Sequence, residues 1–179
     1  YWDSLGIRPF RVCVNISPLQ FNRPDLTEWI AGFLKRAKLA PDRLELELTE
    51  SAIMTDAKTN IAKLSSLKAL GLHLAVDDFG TGYSNLTYLS DLPFQKLKID
   101  RSFVSRIETN SNTGAIISTI VGLSRALGVE TIAEGVENQA QVTLLMAAGC
   151  NSAQGYLFGR PLPITTREKY QERRAALLH

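Results

Sequence analysis

Two periods of hydrophobicity take turns along this chain. Residues 10–16 form a β-rich run that stops at Asn15 and is broken by Ser17-Pro18. Pro24-Asp25 then opens a stretch with Leu26, Trp29, Ile30, Phe33, Leu34 and Ala37 at helical spacing. Residues 44–50 alternate strictly, with leucine on one face and Glu45, Glu47 and Thr49 on the other. A second helix is predicted over 56–70, closed by Gly71. A strand follows with Leu72, Leu74 and Val76 alternating with His73, Ala75 and Asp77. Leu86 to Leu89 fit a helical turn before Pro93, and 96–100 a short strand. A helix capped at Ser111-Asn112-Thr113 carries Ile116, Ile117, Ile120, Val121, Ser124 and Leu127 and ends at Gly128. Strand 130–134, helix 138–148 with Gly149 behind it, and strand candidate 152–156 complete the pattern. Residues 1–9 read as a helix end and a loop, and 165–179 as a terminal helix.

Strand and helix thus alternate about six times, which implies parallel strands joined by right-handed crossovers. An open doubly wound sheet and a (βα)8 barrel both satisfy that rhythm. They differ in where function collects. A doubly wound sheet uses one switch point and usually a glycine-rich phosphate turn. Here the strands finish in turn on Asn15, Glu47, Asp77 with Asp78, Lys98, Glu134 and Gln154. A site built from nearly every strand end favours the barrel. In a barrel the leucines of 44–48 face the helices and the acids face the axis. In a half-exposed sheet the same acids would simply face water.

Composition narrows the function more than the fold. The 179 residues are 45% hydrophobic and 21% charged, which suits one domain with a real core. A net charge of +2 is too small for a duplex-binding surface. No apolar run reaches the roughly 18 residues of a membrane span, and no signal peptide is recognisable. Cys13 and Cys150 lie far apart, so a disulfide framework is not expected and a reducing cytoplasm fits. The chain begins on Tyr1, so the expectation is a piece of a longer protein.

The chemistry centres on residues 73–84. Adjacent strand residues point to opposite faces, so Asp77 and Asp78 can share a site only where the backbone turns. Two carboxylates about 4 Å apart repel by roughly 4 kcal/mol at an effective dielectric of about 20, a cost that a divalent cation removes. A solvated turn with a helix cap accounts for the same letters. The other strand-end groups weigh toward metal. They are hard oxygens with no Cys or His pattern, which suits Mg²⁺ or Mn²⁺ rather than zinc. Several acids with one lysine suggest a two-metal phosphoester hydrolase.

Taken together, Val14-Asn15-Ile16-Ser17, Glu47-Leu48-Thr49-Glu50-Ser51, residues 77–84, Lys98-Ile99-Asp100-Arg101-Ser102-Phe103, Ala133-Glu134-Gly135-Val136-Glu137 and Gln154-Gly155-Tyr156-Leu157-Phe158-Gly159-Arg160-Pro161 resemble the EAL-domain phosphodiesterases, in order, over about residues 10–163. The resemblance implies a TIM-type barrel that hydrolyses cyclic di-GMP to linear pGpG with Mg²⁺ or Mn²⁺. It implies that Asn15, Glu47 and Asp77 bind metal, with Asp77 bridging to a second ion near Asp78. Lys98 would hold the nucleophilic water and Glu134 would be the general base. Glu50 would brace the loop from Phe79 to Ser84, which couples dimer contacts to metal binding. Glu137 and Gln154 would lie around the substrate or second metal. It further implies a homodimer, a cytoplasmic bacterial setting or the cytoplasmic part of a membrane-anchored protein, and fusion to sensor or GGDEF-type domains.

Two departures stand out. The Glu-Ala-Leu motif that names the family is absent, and with it a metal-binding glutamate and a substrate arginine. The expectation is therefore a single domain, 1–179, lacking its N-terminal portion, with about six of eight strands. Asn85 also stands where a second serine is usual. The alternative function is a non-catalytic module that binds cyclic di-GMP or a protein, the fragment itself being inactive. Asp78-Phe79-Gly80 matches a kinase signature, but the partner motifs are missing. His73 and Cys13 read as core residues, and Phe79 and Tyr83 as loop anchors.

Overall fold

A computed structural model describes residues 11–82 and 86–161. The expectations for 1–9, for 165–179 and for Tyr83, Ser84 and Asn85 fall outside them. The order is β1 (Val12–Asn15), α1 (Pro18–Phe21), α2 (Leu26–Ala37), β2 (Leu44–Thr49), α3 (Glu50–Met54), α4 (Ala57–Ala69), β3 (His73–Phe79), α5 (Leu86–Leu89), β4 (Lys96–Ile99), α6 (Arg101–Val104), α7 (Ser111–Leu127), β5 (Glu130–Ala133), α8 (Gln139–Ala147) and β6 (Ser152–Ala153). Among the described residues, six strands form one parallel sheet in chain order, with β1 and β6 as its edges. The sheet curls into an incomplete barrel.

The alternation in 44–50 decides which face is which. Leu44, Leu46 and Leu48 are buried with Leu74, Val76, Leu97 and Ile99 against the helices, in one cluster with Ile30, Leu34, Leu67, Ile117 and Leu145. Glu45 and Glu47 project to the concave side, where Lys96 and Lys98 meet them. The acids therefore face the barrel interior and not bulk water.

Helix ends follow their capping chemistry. Gly128 caps α7 at φ 70° and Gly71 follows α4 at φ 93°, the left-handed region that glycine enters without strain. The short helices not foreseen include α3 and α6. Thr49 caps α3 and Asp100 caps α6, each directly at a strand's C-terminus. These one-turn helices are too short to show a hydrophobic period.

The apolar stripe of α2 is wider than the surface it covers: Leu26, Ile30 and Leu34 are buried, while Trp29 and Phe33 stay 40% and 47% exposed. Two expectations change. Cys13 is not a core residue but exposed, because β1 is the edge and its whole length is open. The last strand has two residues instead of five. Its continuation turns at Gly155, where any side chain would run into the Val136 backbone.

Candidate active site

Every strand C-terminus opens onto the same end of the sheet, and the side chains meet there. Lys98 Nζ lies 2.7 Å from Glu47 Oε2, 2.8 Å from Glu134 Oε1 and 3.1 Å from Asp77 Oδ2. One ammonium thus serves three carboxylates from β2, β3 and the end of β5. Glu134 also accepts a 2.6 Å hydrogen bond from Gln154 Nε2. With its amide nitrogen turned inward, Asn15 donates to Asp77 Oδ2 and Glu47 Oε2, each at 3.2 Å.

The two adjacent aspartates share the site by a backbone device. Asp78 has φ 53°, and the register between β3 and β4 slips between Val76 and Phe79. The bulge turns Asp78 toward the side that Asp77 already faces. Oxygens of Asp77, Asp78 and Glu134 consequently all lie within 4.8 Å of one another. Asp77 Oδ1 accepts the Asp78 N–H at 2.9 Å, which fixes its rotamer. The strand runs through both acids to Phe79, one residue past the pair on which it was expected to finish.

Burial sets the electrostatics. Glu134 is held above the ordinary carboxylate range, first by burial; Lys98 pulls the other way, and Asp77 and Glu47 add repulsion. Asp78 is raised by burial, then by Asp77 and Asp100. Burial works against the charge on Lys98, yet its bonds to Glu134 and Glu47 win and the ammonium is held more firmly than usual. A pocket of oxygen donors in which burial and then neighbouring charges disfavour the ionised form of two acids fits divalent cations.

Glu50 sits behind the site with 2% exposure. Its Oε2 accepts the Gly80 N–H at 2.9 Å, and Gly82 passes so close that a Cβ there would meet Oε1 at 3.2 Å. Phe79 is a buried anchor at 4% exposure. Glu137 is exposed and lines a groove beside Glu134 and Gln154, together with Arg101, Tyr156 and Arg160. Asn15, Glu47, Asp77, Asp78, Lys98, Glu134 and Gln154 therefore converge; Glu50 supports the loop and Glu137 borders the cleft. His73 is not among them: its Nε2 lies 3.0 Å from Arg11 Nη2, on the floor of the sheet.

One residue of the site was overlooked. Asp100 caps α6 through the Ser102 N–H at 3.0 Å and adds its charge to Asp78. Its place two residues after Lys98, at the same strand end, was the available signal.

The EAL domain profile matches residues 2–161, and the chain belongs to that family of α/β barrels. It is 45% identical over 162 residues to the bifunctional diguanylate cyclase/cyclic di-GMP phosphodiesterase MucR of Pseudomonas aeruginosa, covering 90% of this chain and 24% of that protein. It is 38% identical over 156 residues to the cyclic di-GMP phosphodiesterase RocR of the same organism, covering 87% of this chain and 40% of RocR. Among solved structures it is similar to the MucR phosphodiesterase in complex with c-di-GMP, with a TM-score of 0.88 and 45% identity over 91% of this chain and 66% of that one. A manganese/c-di-GMP complex of Klebsiella pneumoniae BlrP1 gives a TM-score of 0.80 at 32% identity, covering 89% of this chain and 41% of that one. The chain thus spans about a quarter of the length of MucR. No helix among the described residues is long and apolar enough to cross a membrane.

Proposed function

We propose that this chain forms the greater part of a metal-dependent phosphodiesterase that opens cyclic di-GMP to linear pGpG. The observation that carries the reading is the meeting of Asp77, Asp78 and Glu134 oxygens within 4.8 Å of one another, with the Lys98 ammonium bound to Asp77 and Glu134. All donors are hard oxygens, so the set fits Mg²⁺ or Mn²⁺. Asn15, Glu47 and Asp77 would hold one ion, and Asp77 and Asp78 a second. Asn15 would first turn its amide so that oxygen faces inward. Bound ions supply charge at the phosphoryl oxygens and make a water acidic enough to ionise near neutral pH.

The chain's own residues do the rest. Lys98 holds the attacking water by a hydrogen bond from its ammonium. Glu134, whose carboxyl burial raises above the ordinary range, accepts the proton, and Gln154 keeps its carboxylate aimed. Glu137 and Gln154 border the bound dinucleotide. Glu50 keeps the loop after β3 in place. Homodimerisation, a cytoplasmic setting and fusion to cyclase or sensor domains belong to the same proposal; the MucR name and the one-quarter coverage support the fusion.

The alternative is a module that binds cyclic di-GMP without cutting it. Incubating the chain with cyclic di-GMP and Mn²⁺ or Mg²⁺, with chromatography for pGpG, separates the two. Chelator-sensitive pGpG formation is expected. Saturable binding of intact dinucleotide without product would establish the second reading.

A further inference from the structure

Beneath the site lies a second acid–lysine pair built on the same two strands. Glu45 stands two residues before Glu47 on β2, and Lys96 two before Lys98 on β4. Lys96 Nζ contacts both Glu45 oxygens, at 2.7 and 2.8 Å. Arg11 Nη1 adds a third contact at 3.2 Å. Both lysines reach over β3, which intervenes in the sheet. They can do so because β3 presents Ala75 there, paired with Glu47 on one side and Lys96 on the other.

The pairs are close enough to interfere. An oxygen of Glu45 and an oxygen of Glu47 lie within 4.8 Å of each other. An ammonium on a flexible four-carbon stem covers that distance by rotamer change alone. Glu47 already has Lys98; a second ammonium would neutralise it twice over. We infer that Glu45 is a positioning residue: it holds the Lys96 ammonium on the floor of the sheet and so leaves Glu47 free to take a divalent cation. The inference rests on the metal-binding reading of Glu47 given above. Glu45 is suited to the task because its side chain is only 2% exposed, and the depth that hides it from solvent also makes an unpaired charge there costly.

A merely structural ion pair makes a different prediction, and double substitution separates the two. Mn²⁺ binding to the full chain is titrated by calorimetry, with folding checked by thermal melting, in Glu45→Gln, Lys96→Met and the double variant. Glu45→Gln is expected to weaken Mn²⁺ binding about tenfold, the low end for loss of a group that orients a metal ligand. Adding Lys96→Met should restore it, because the competing ammonium is gone. Unchanged binding in Glu45→Gln, or a double variant no better than the single, overturns the inference. If Glu45→Gln does not fold, Lys96→Met alone decides: undiminished Mn²⁺ affinity is expected, and a loss overturns it. Cyclic di-GMP hydrolysis by the unsubstituted chain is followed in parallel. Its failure with Mn²⁺ binding intact refutes the proposed reaction and not the role of Glu45.

Discussion

Glu50 Oε2 accepts the backbone N–H of Gly80 across thirty residues of sequence, and this bond ties the start of α3 to the loop that leaves β3. Gly80 itself sits at φ 92° with Phe103 and Ile120 close around it, so the loop has one narrow path. Glu50→Ala leaves the Gly80 N–H without that acceptor at a cost of about 1–3 kcal/mol. The expected outcome is a loop that orders Asp78 poorly. Activity should need more Mn²⁺, and association between copies should weaken with it. Kinetics at varied Mn²⁺ beside light scattering provide the check; no change in either would reduce Glu50 to an ordinary buried acid.

Asp77 has the most demanding position in the site. It meets Lys98 at 3.1 Å and the Asp78 N–H at 2.9 Å, and it is 9% exposed. Asp77→Asn keeps the shape and one acceptor oxygen but removes the charge. Hydrolysis in the complete protein is expected to fall at least about 100-fold, the scale of losing a group that holds or orients a metal, while the melting temperature stays near the parent's. Comparable turnover at saturating Mg²⁺ would remove Asp77 from the mechanism.

Cys13 is exposed yet should be chemically quiet. Burial of the sulfur and the nearby Glu45 and Glu47 charges push its thiol pKa up to about 11, from an ordinary 9.0. The thiolate is the reactive form, so at pH 8 its population falls about 100-fold below that of an ordinary thiol. In a Cys150→Ser variant, alkylation by iodoacetamide should be correspondingly slow and should accelerate only as pH approaches 11. Labelling at the rate of a small free thiol would show that the two glutamates do not act on it.

The β1 edge should drive association. Val12 and Val14 are each 39% exposed on a strand with one side unpaired among the described residues, the arrangement that recruits another strand. The chain is expected to run as more than a monomer in chromatography with light scattering. Val14→Lys, which puts a charge on the outer face of that edge, should shift it toward monomer. A parent chain that stays monomeric at every concentration would refute this.

The strand-end residues are legible because parallel sheets put every C-terminus at one end, so chain order alone brings Asn15, Glu47, Asp77, Lys98, Glu134 and Gln154 together. The stripe of α2 groups Trp29 and Phe33 with its buried leucines, but helical spacing reports which residues share a face, not how much sheet there is to cover it. Cys13 failed for the same reason: a short apolar run does not announce that it is an edge. The Glu45–Lys96 pair was invisible for another cause. It depends on two side chains meeting over Ala75, and reach across an intervening strand leaves no periodicity. Asp78 lay between: the two acids demanded a turn, but only the φ of 53° shows that the turn lies inside the strand.

That dihedral has a bearing on how the position can drift over generations. A left-handed backbone at a non-glycine residue is comfortable chiefly for Asp, Asn and Gly. The backbone therefore screens substitutions at 78 before chemistry does. A lineage that abandons catalysis should keep its fold most easily through Asn or Gly here. Asn or Gly at 78 would then be an early mark of a domain turned from cutting its ligand to sensing it.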